Sequence, residues 1–158
     1  MKANDLRIGN WVKIKEEFSE RDIPLETLEF QIEGFNDGSK RYEEGAKQIL
    51  FWSIKNKVFG TTTSGSYDIE CELILLTEEW LLKFGFKKEN NTIYSISDKL
   101  SSSEVGKWYF FKNENNSFTP HIKRENKFSW IGKEIKYVHQ LQNLYFALTG
   151  EELLLKEI

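Results

Sequence analysis

Between Thr27 and Phe35 (TLEFQIEGF) apolar and polar positions alternate, with Leu28, Phe30 and Ile32 on one parity and Glu29, Gln31 and Glu33 on the other. Successive side chains of a strand point to opposite faces, so this pattern predicts a half-buried β-strand. NWVKIK (Asn10–Lys15), KQILFWSI (Lys47–Ile54) and YDIECELILL (Tyr67–Leu76) are rich in β-branched and aromatic residues and read as strands too. Turn chemistry separates them at NDGS (Asn36–Ser39) and FGTTTSGS (Phe59–Ser66). Short strands at this spacing predict a small SH3-like or curled β-sheet for residues 1–76.

The pattern changes at Leu76–Thr77. In LTEEWLLKFGF, Thr77 suits a helix N-cap, Glu78 and Glu79 suit the first turn, and Gly85 suits the stop. Trp80, Leu81 and Phe84 would anchor this short helix. NTIYSIS, KWYFFKN, FTPHIKR and FSWIGKEI then read as an antiparallel sheet of three to four strands, with NENN (Asn113–Asn116) as a hairpin turn. A closing helix starts near Glu134–Tyr137 and ends at Thr149–Gly150, where glycine suits the left-handed C′ position. The expected fold class is therefore α+β, mostly β, with residues 77–158 as a second region of helix, sheet and packed C-terminal helix.

The closing helix has two stripes. Tyr137, Val138, Leu141, Leu144, Tyr145 and Leu148 share a broad apolar face at core-facing spacing. Nearly opposite lie His139, Gln142, Asn143 and Phe146, and from Tyr137 to Gly150 there is no Lys, Arg, Asp or Glu. Asn and His are mediocre helix formers, so propensity does not explain them. The second stripe is expected to be covered by the N-terminal sheet, another subunit or a ligand, with Phe146 as an interface residue.

Charge sharpens the picture. The whole chain carries a net −3, which gives no general argument for nucleic-acid or membrane binding. Residues 1–76 hold ten basic and fourteen acidic side chains, and residues 77–158 hold twelve and eleven. From Lys107 to Lys136 seven basic residues face three Glu, interleaved with Trp108, Tyr109, Phe110, Phe111, Phe118, Phe128 and Trp130. A single Cys, Cys71, fits a reducing compartment. The start MKANDLRIGNWVKI has no apolar signal region, and no apolar run reaches membrane-spanning length. The expected setting is the cytoplasm.

Catalytic signatures are absent: there is no HExxH, paired CxxC, Walker A, GxGxxG or GxSxG. Cys71 reads as an inert strand residue, no metal-ligand spacing is apparent, and no cofactor or catalytic residue is assigned. A binding function is expected instead. Lys123, Arg124 and Lys127 would neutralise phosphate, Trp108 or Trp130 would stack on a base, and Gln142 and Asn143 would read its edge. His121 and His139 complete this candidate set.

LRIGNWV near the N-terminus, LTEEWLLKFGF, and YVHQLQNLYFALTGEEL in the closing helix resemble a family of small uncharacterised proteins of Bacteroidota genomes, prophages and phages. The resemblance leaves the middle of the chain, roughly 15–75, unmatched. It implies a phage or mobile-element setting in a bacterial host but brings no activity. In that setting the expected function is an accessory protein that binds a nucleotide-like small molecule, such as a host-defence signal it sequesters. A host protein is the alternative partner, through an adaptor or inhibitor surface. Single-stranded nucleic acid on the basic aromatic strands is a further, disfavoured one. Homo-oligomerisation is expected, and membrane association is not.

Overall fold

The computed structural model describes residues 6–15, 29–36, 48–53, 58–61, 71–97, 107–125 and 127–156. The chain divides into two compact units, Met1–Ile74 and Leu75–Ile158.

The first unit is a five-stranded antiparallel sheet of β1 (Trp11–Ile14), β2 (Glu29–Asn36), β3 (Gln48–Ser53), β4 (Val58–Thr61) and β5 (Cys71–Glu72), in the order β4-β3-β2-β1-β5. The alternation in β2 works as its parity dictates. Phe30 and Ile32 are buried with Leu6, Val12 and Cys71, while Gln31 is half-buried. The β2–β3 register shifts between Ile32 and Gly34. A bulge bends and twists a strand, so β2 can serve β1 along one half and β3 along the other. Ahead of β1, Gly9 takes a left-handed φ of 89°. The buried Asn10 closes this turn by accepting from the Arg7 N–H at 2.9 Å, and its carbonyl accepts from the Ile32 N–H at 2.8 Å.

One turn expectation is corrected. Phe59, Gly60 and Thr61 belong to β4, paired with Trp52, Phe51 and Leu50. The β-forming Val58, Phe59 and Thr61 outweigh the single glycine. Of the turn expected over Asn36–Ser39, Asn36 is the last residue of β2, paired with Gln48, and the rest lies outside the described residues, as does the start of the fourth expected strand, Tyr67–Glu70.

The second unit runs α1 (Glu78–Lys83), β6 (Lys87–Lys88), β7 (Ile93–Ser97), β8 (Lys107–Lys112), β9 (Phe118–Arg124), β10 (Lys127–Trp130) and α2 (Val138–Thr149). Thr77 Oγ1 accepts from the Trp80 N–H, capping α1. At the other end the N–H groups of Gly85 and Phe86 donate to the carbonyls of Leu82 and Leu81, and Gly85 sits at φ 86°. That double closure is a Schellman motif, which needs the left-handed conformation a glycine adopts without strain.

The sheet is a five-stranded antiparallel meander, β10-β9-β8-β7-β6. It exceeds the expected three to four strands by the short Lys87–Lys88 pairing on Ser95 and Tyr94. The strand expected over FSWIGKEI stops at Trp130, and Ile135 instead bridges to Phe118. Both helices lie on one side of this sheet. Phe86, just after α1, meets Phe110 edge-on, and Tyr145 of α2 meets Trp108 in the same way at 5.4 Å.

The closing helix starts at Val138, with Gln140 Oε1 accepting from the Lys136 and Tyr137 N–H groups. Gly150 ends it at φ 73°. Its buried side is rotated from the expected apolar stripe. Val138, Leu141 and Tyr145 are buried, but so are His139 and Gln142, whereas Leu148 is 49% exposed. Phe146, expected to be covered, is 41% exposed. No helix among the described residues is long and apolar enough to cross a membrane.

Candidate ligand-binding face

Register decides which side chains share a face, because directly paired residues of antiparallel strands point to the same side. Tyr94, Phe110 and Pro120 form one row, and Ile96, Trp108, Ile122 and Ser129 form the next. These rows lie under the helices. The alternate rows are Ser95–Tyr109–His121–Trp130, with Phe111 opposite Thr119 and Lys123 opposite Phe128. They occupy the other side of the sheet.

That second side carries a connected set of rings. Phe111 stacks on His121, their centroids 4.4 Å apart and their planes 23° from parallel. Phe128 stands edge-on to both Tyr109 and Phe111 at 5.0 and 4.9 Å. Tyr109 is buried beneath them, while Phe128 is 42% and Trp130 65% exposed. The result is an aromatic floor with two open rings on the edge strand β10.

Polar groups border the floor. Lys107 Nζ lies over the Tyr109 ring at 5.2 Å and pairs with Glu89 at 2.5 Å. Glu89 also accepts from Ser95 Oγ. The Lys107 ammonium, aided by the Ser95 hydroxyl, holds the Glu89 carboxyl below its usual range, and Glu89 in turn raises Lys107. His121 Nδ1 is 3.0 Å from the Thr119 carbonyl oxygen. A carbonyl only accepts, so Nδ1 carries the proton and Nε2 remains for an outside partner. Lys123 sits beside Phe128, and Arg124 pairs with Lys127 at the end of the hairpin.

The nearby acid Glu134 is engaged at another turn, where it accepts from Ser117, Asn115 and Asn113. The Ser117 hydroxyl, then the Asn115 amide, lowers its carboxyl pKa. On the helix side of the sheet Glu78 pairs with Lys88 at 2.5 Å. The buried Tyr94 hydroxyl makes no hydrogen bond of ordinary geometry there, yet it lies within electrostatic reach of that pair. Burial first, then Glu78, raises its pKa.

The structure thus separates the residues singled out from sequence. His121, Lys123 and Trp130 come together on the open face, whereas Arg124 and Lys127, expected to join them, pair with each other at the opposite parity and share the helix-side face with Ile122 and Ser129. Trp108 packs beneath Tyr145 on the opposite side. His139 and Gln142 are buried and Asn143 is half-buried on α2, which packs on that same side. A pocket in which Trp130 stacks a base while Gln142 and Asn143 read its edge is therefore not formed, because the sheet stands between them. Tyr109, Phe111 and Phe128 belong to the face and were named from sequence only among the aromatics interleaved with the basic residues, not as ligand contacts. Their signal was parity, since odd positions of β8 and β9 and even positions of β10 share it.

A groove of about 490 Å³ opens on this unit between Phe84, Ile96, Tyr145 and Leu153–Lys156, and none of the ligand-binding candidates from sequence lines it. Among the described residues no three His, Cys, Asp or Glu side chains gather where they could hold a metal ion. The fold and this face define a mostly β, α+β protein of two units, one of them with an open aromatic sheet face bordered by cations. Compared with protein-family models, curated proteins and solved structures, the chain matches none.

Proposed function

We propose that the protein acts by binding rather than catalysis, and that the open face of residues 75–158 takes a ligand carrying a nucleobase and phosphate. The observation that carries this reading is the exposure of Phe128 and Trp130 on the same side as Lys123 and His121. An exposed ring offers a planar stacking surface to a base, and Lys or Arg nearby neutralises phosphate. The candidate contacts therefore become His121, Lys123 and Trp130, joined by Phe128.

The phage or mobile-element setting rests on the resemblance of LTEEWLLKFGF and YVHQLQNLYFALTGEEL alone. In that setting the ligand would be a nucleotide signal of the host's defence, held in the cytoplasm and kept from its receptor. A second reading, capture of a host protein by the same face, is favoured by two exposed aromatic anchors, a residue type enriched at interfaces.

A thermal-shift panel of mono- and dinucleotides, cyclic dinucleotides and ADP-ribose derivatives tests the first reading. A ligand specific for the folded state adds about 2.7 kcal/mol of apparent stability at a hundredfold excess over its Kd. A shift with one nucleotide class, lost in Trp130→Ala, supports it. A flat panel overturns it and leaves the protein-capture reading.

A further inference from the structure

We infer that the open face takes a single-stranded nucleic acid, RNA or DNA, with neighbouring bases splayed onto Phe128 and Trp130. The inference rests on the reading that this face receives base and phosphate, and it commits the ligand to a strand rather than an isolated nucleotide.

Spacing is the first argument. Phe128 and Trp130 are alternate residues of β10 and share one face. Residues two apart on a strand are separated by about 6.8 Å along it. Bases stacked in a duplex strand rise by about 3.4 Å. Two rings at twice that spacing leave room for a separate base at each. They suit a strand whose bases are pulled apart, and a duplex keeps its bases inside.

Position is the second argument. β10 is the edge strand of the sheet, so a second chain can run alongside the two rings without displacing a neighbouring strand. Phe128 is braced edge-on by Tyr109 and Phe111, which orders it before a base arrives and lowers the entropic cost of binding.

The third argument is that each ring has its own polar partner. Trp130 is directly paired with His121, whose Nε2 is the ring nitrogen left outward by the Thr119 contact. Phe128 is directly paired with Lys123. Along β10 from Trp130 to Phe128 the polar neighbour thus changes from an imidazole to an ammonium. A repeating chain of base and phosphate matches that pair of groups, with a phosphate directed toward Lys123 and a base edge or ribose toward His121. Sequence-tolerant single-strand sites combine aromatic stacking with cations along the backbone.

The test is a competition binding series with the full chain, using mono-, di-, tetra- and octanucleotides of uridine and of thymidine, and the matching duplexes. Affinity should rise roughly five- to hundredfold from mono- to dinucleotide, the contribution of one further stacked base. It should fall with added salt and be weaker for duplex than for single strand. Phe128→Ser and Trp130→Ser should each return the dinucleotide to the mononucleotide's affinity, and Trp130→Phe should restore most of the difference. The RNA and DNA series show which sugar is preferred, and either preference is consistent with the inference. Mononucleotides binding as tightly as dinucleotides would overturn the strand and leave the nucleotide reading intact. Duplex binding as tight as single strand would overturn the strand as well. No binding in any series would overturn both.

Discussion

The imidazole of His121 lies flat against Phe111 at 4.4 Å, while its Nδ1 is tied to the Thr119 carbonyl. The ring is thereby held from two sides, and its orientation does not depend on a ligand. His121→Phe should keep the stack and lose Nε2. It should lose at most about 1 kcal/mol of stability, the worth of the Thr119 bond, while ligand affinity drops about two- to tenfold, the loss of one hydrogen bond. Unchanged affinity would place His121 in the floor alone.

The two tryptophans taken from sequence as equivalent stacking candidates should part company. Trp108 packs edge-on against Tyr145 under the helix, and Trp130 is open on the other face. Trp108→Ala should cost about 2 kcal/mol or more by leaving a cavity. Trp130→Ala should stay within about 0.5 kcal/mol in stability, and it should weaken nucleotide binding about five- to hundredfold. Denaturant melts and binding titrations of both variants check this; equal stability losses would contradict the assignment of faces.

Parity explains why the site was only partly legible in the sequence. The segments NTIYSIS, KWYFFKN, FTPHIKR and FSWIGKEI marked β7 to β10 as strands, yet a strand assignment does not say which parity of one strand faces the same side as which parity of the next. That depends on register, and here Arg124 pairs with Lys127 across a two-residue connection. Residues chosen by chemical type alone therefore mixed Trp108 with Trp130. The Lys87–Lys88 strand was illegible for another reason: both residues are exposed, so pairing with β7 and not burial defines it. On α2 the pattern gave the helix and its glycine stop. The observed burial centres on Val138, Leu141, Gln142 and Tyr145, because the surrounding structure and not the stripe alone decides which part of the helix is covered.

Acid should loosen the border of the open face. Lys107 and Ser95 hold the Glu89 carboxyl below its ordinary value of 4.5. A depressed carboxylate contributes stability above its unfolded pKa and loses it as the pH falls through the lower folded value. Glu89→Gln should therefore be less stable at neutral pH, by at most about 1 kcal/mol for so exposed a pair. The two melting curves should converge below pH 4.5. Parallel acid limbs for the native protein and the variant would show that the pair contributes nothing.

Glu125 occupies the left-handed region at φ 47° in the connection between β9 and β10. A side chain there costs roughly 1–2 kcal/mol, which glycine avoids while adding unfolded-state freedom. Glu125→Gly should raise stability by about 0.5–1 kcal/mol. A lower melting temperature would show that the Glu125 side chain holds the turn by a contact of its own.

The open aromatic face is the central claim, and photocrosslinking tests it most directly. A hexanucleotide carrying 5-bromouridine would be irradiated with the native protein and the adduct mapped by mass spectrometry. The account predicts adducts on Phe128 and Trp130 that unlabelled single strand competes away. Adducts on α2 near Gln142 and Asn143, or none at all, would contradict it.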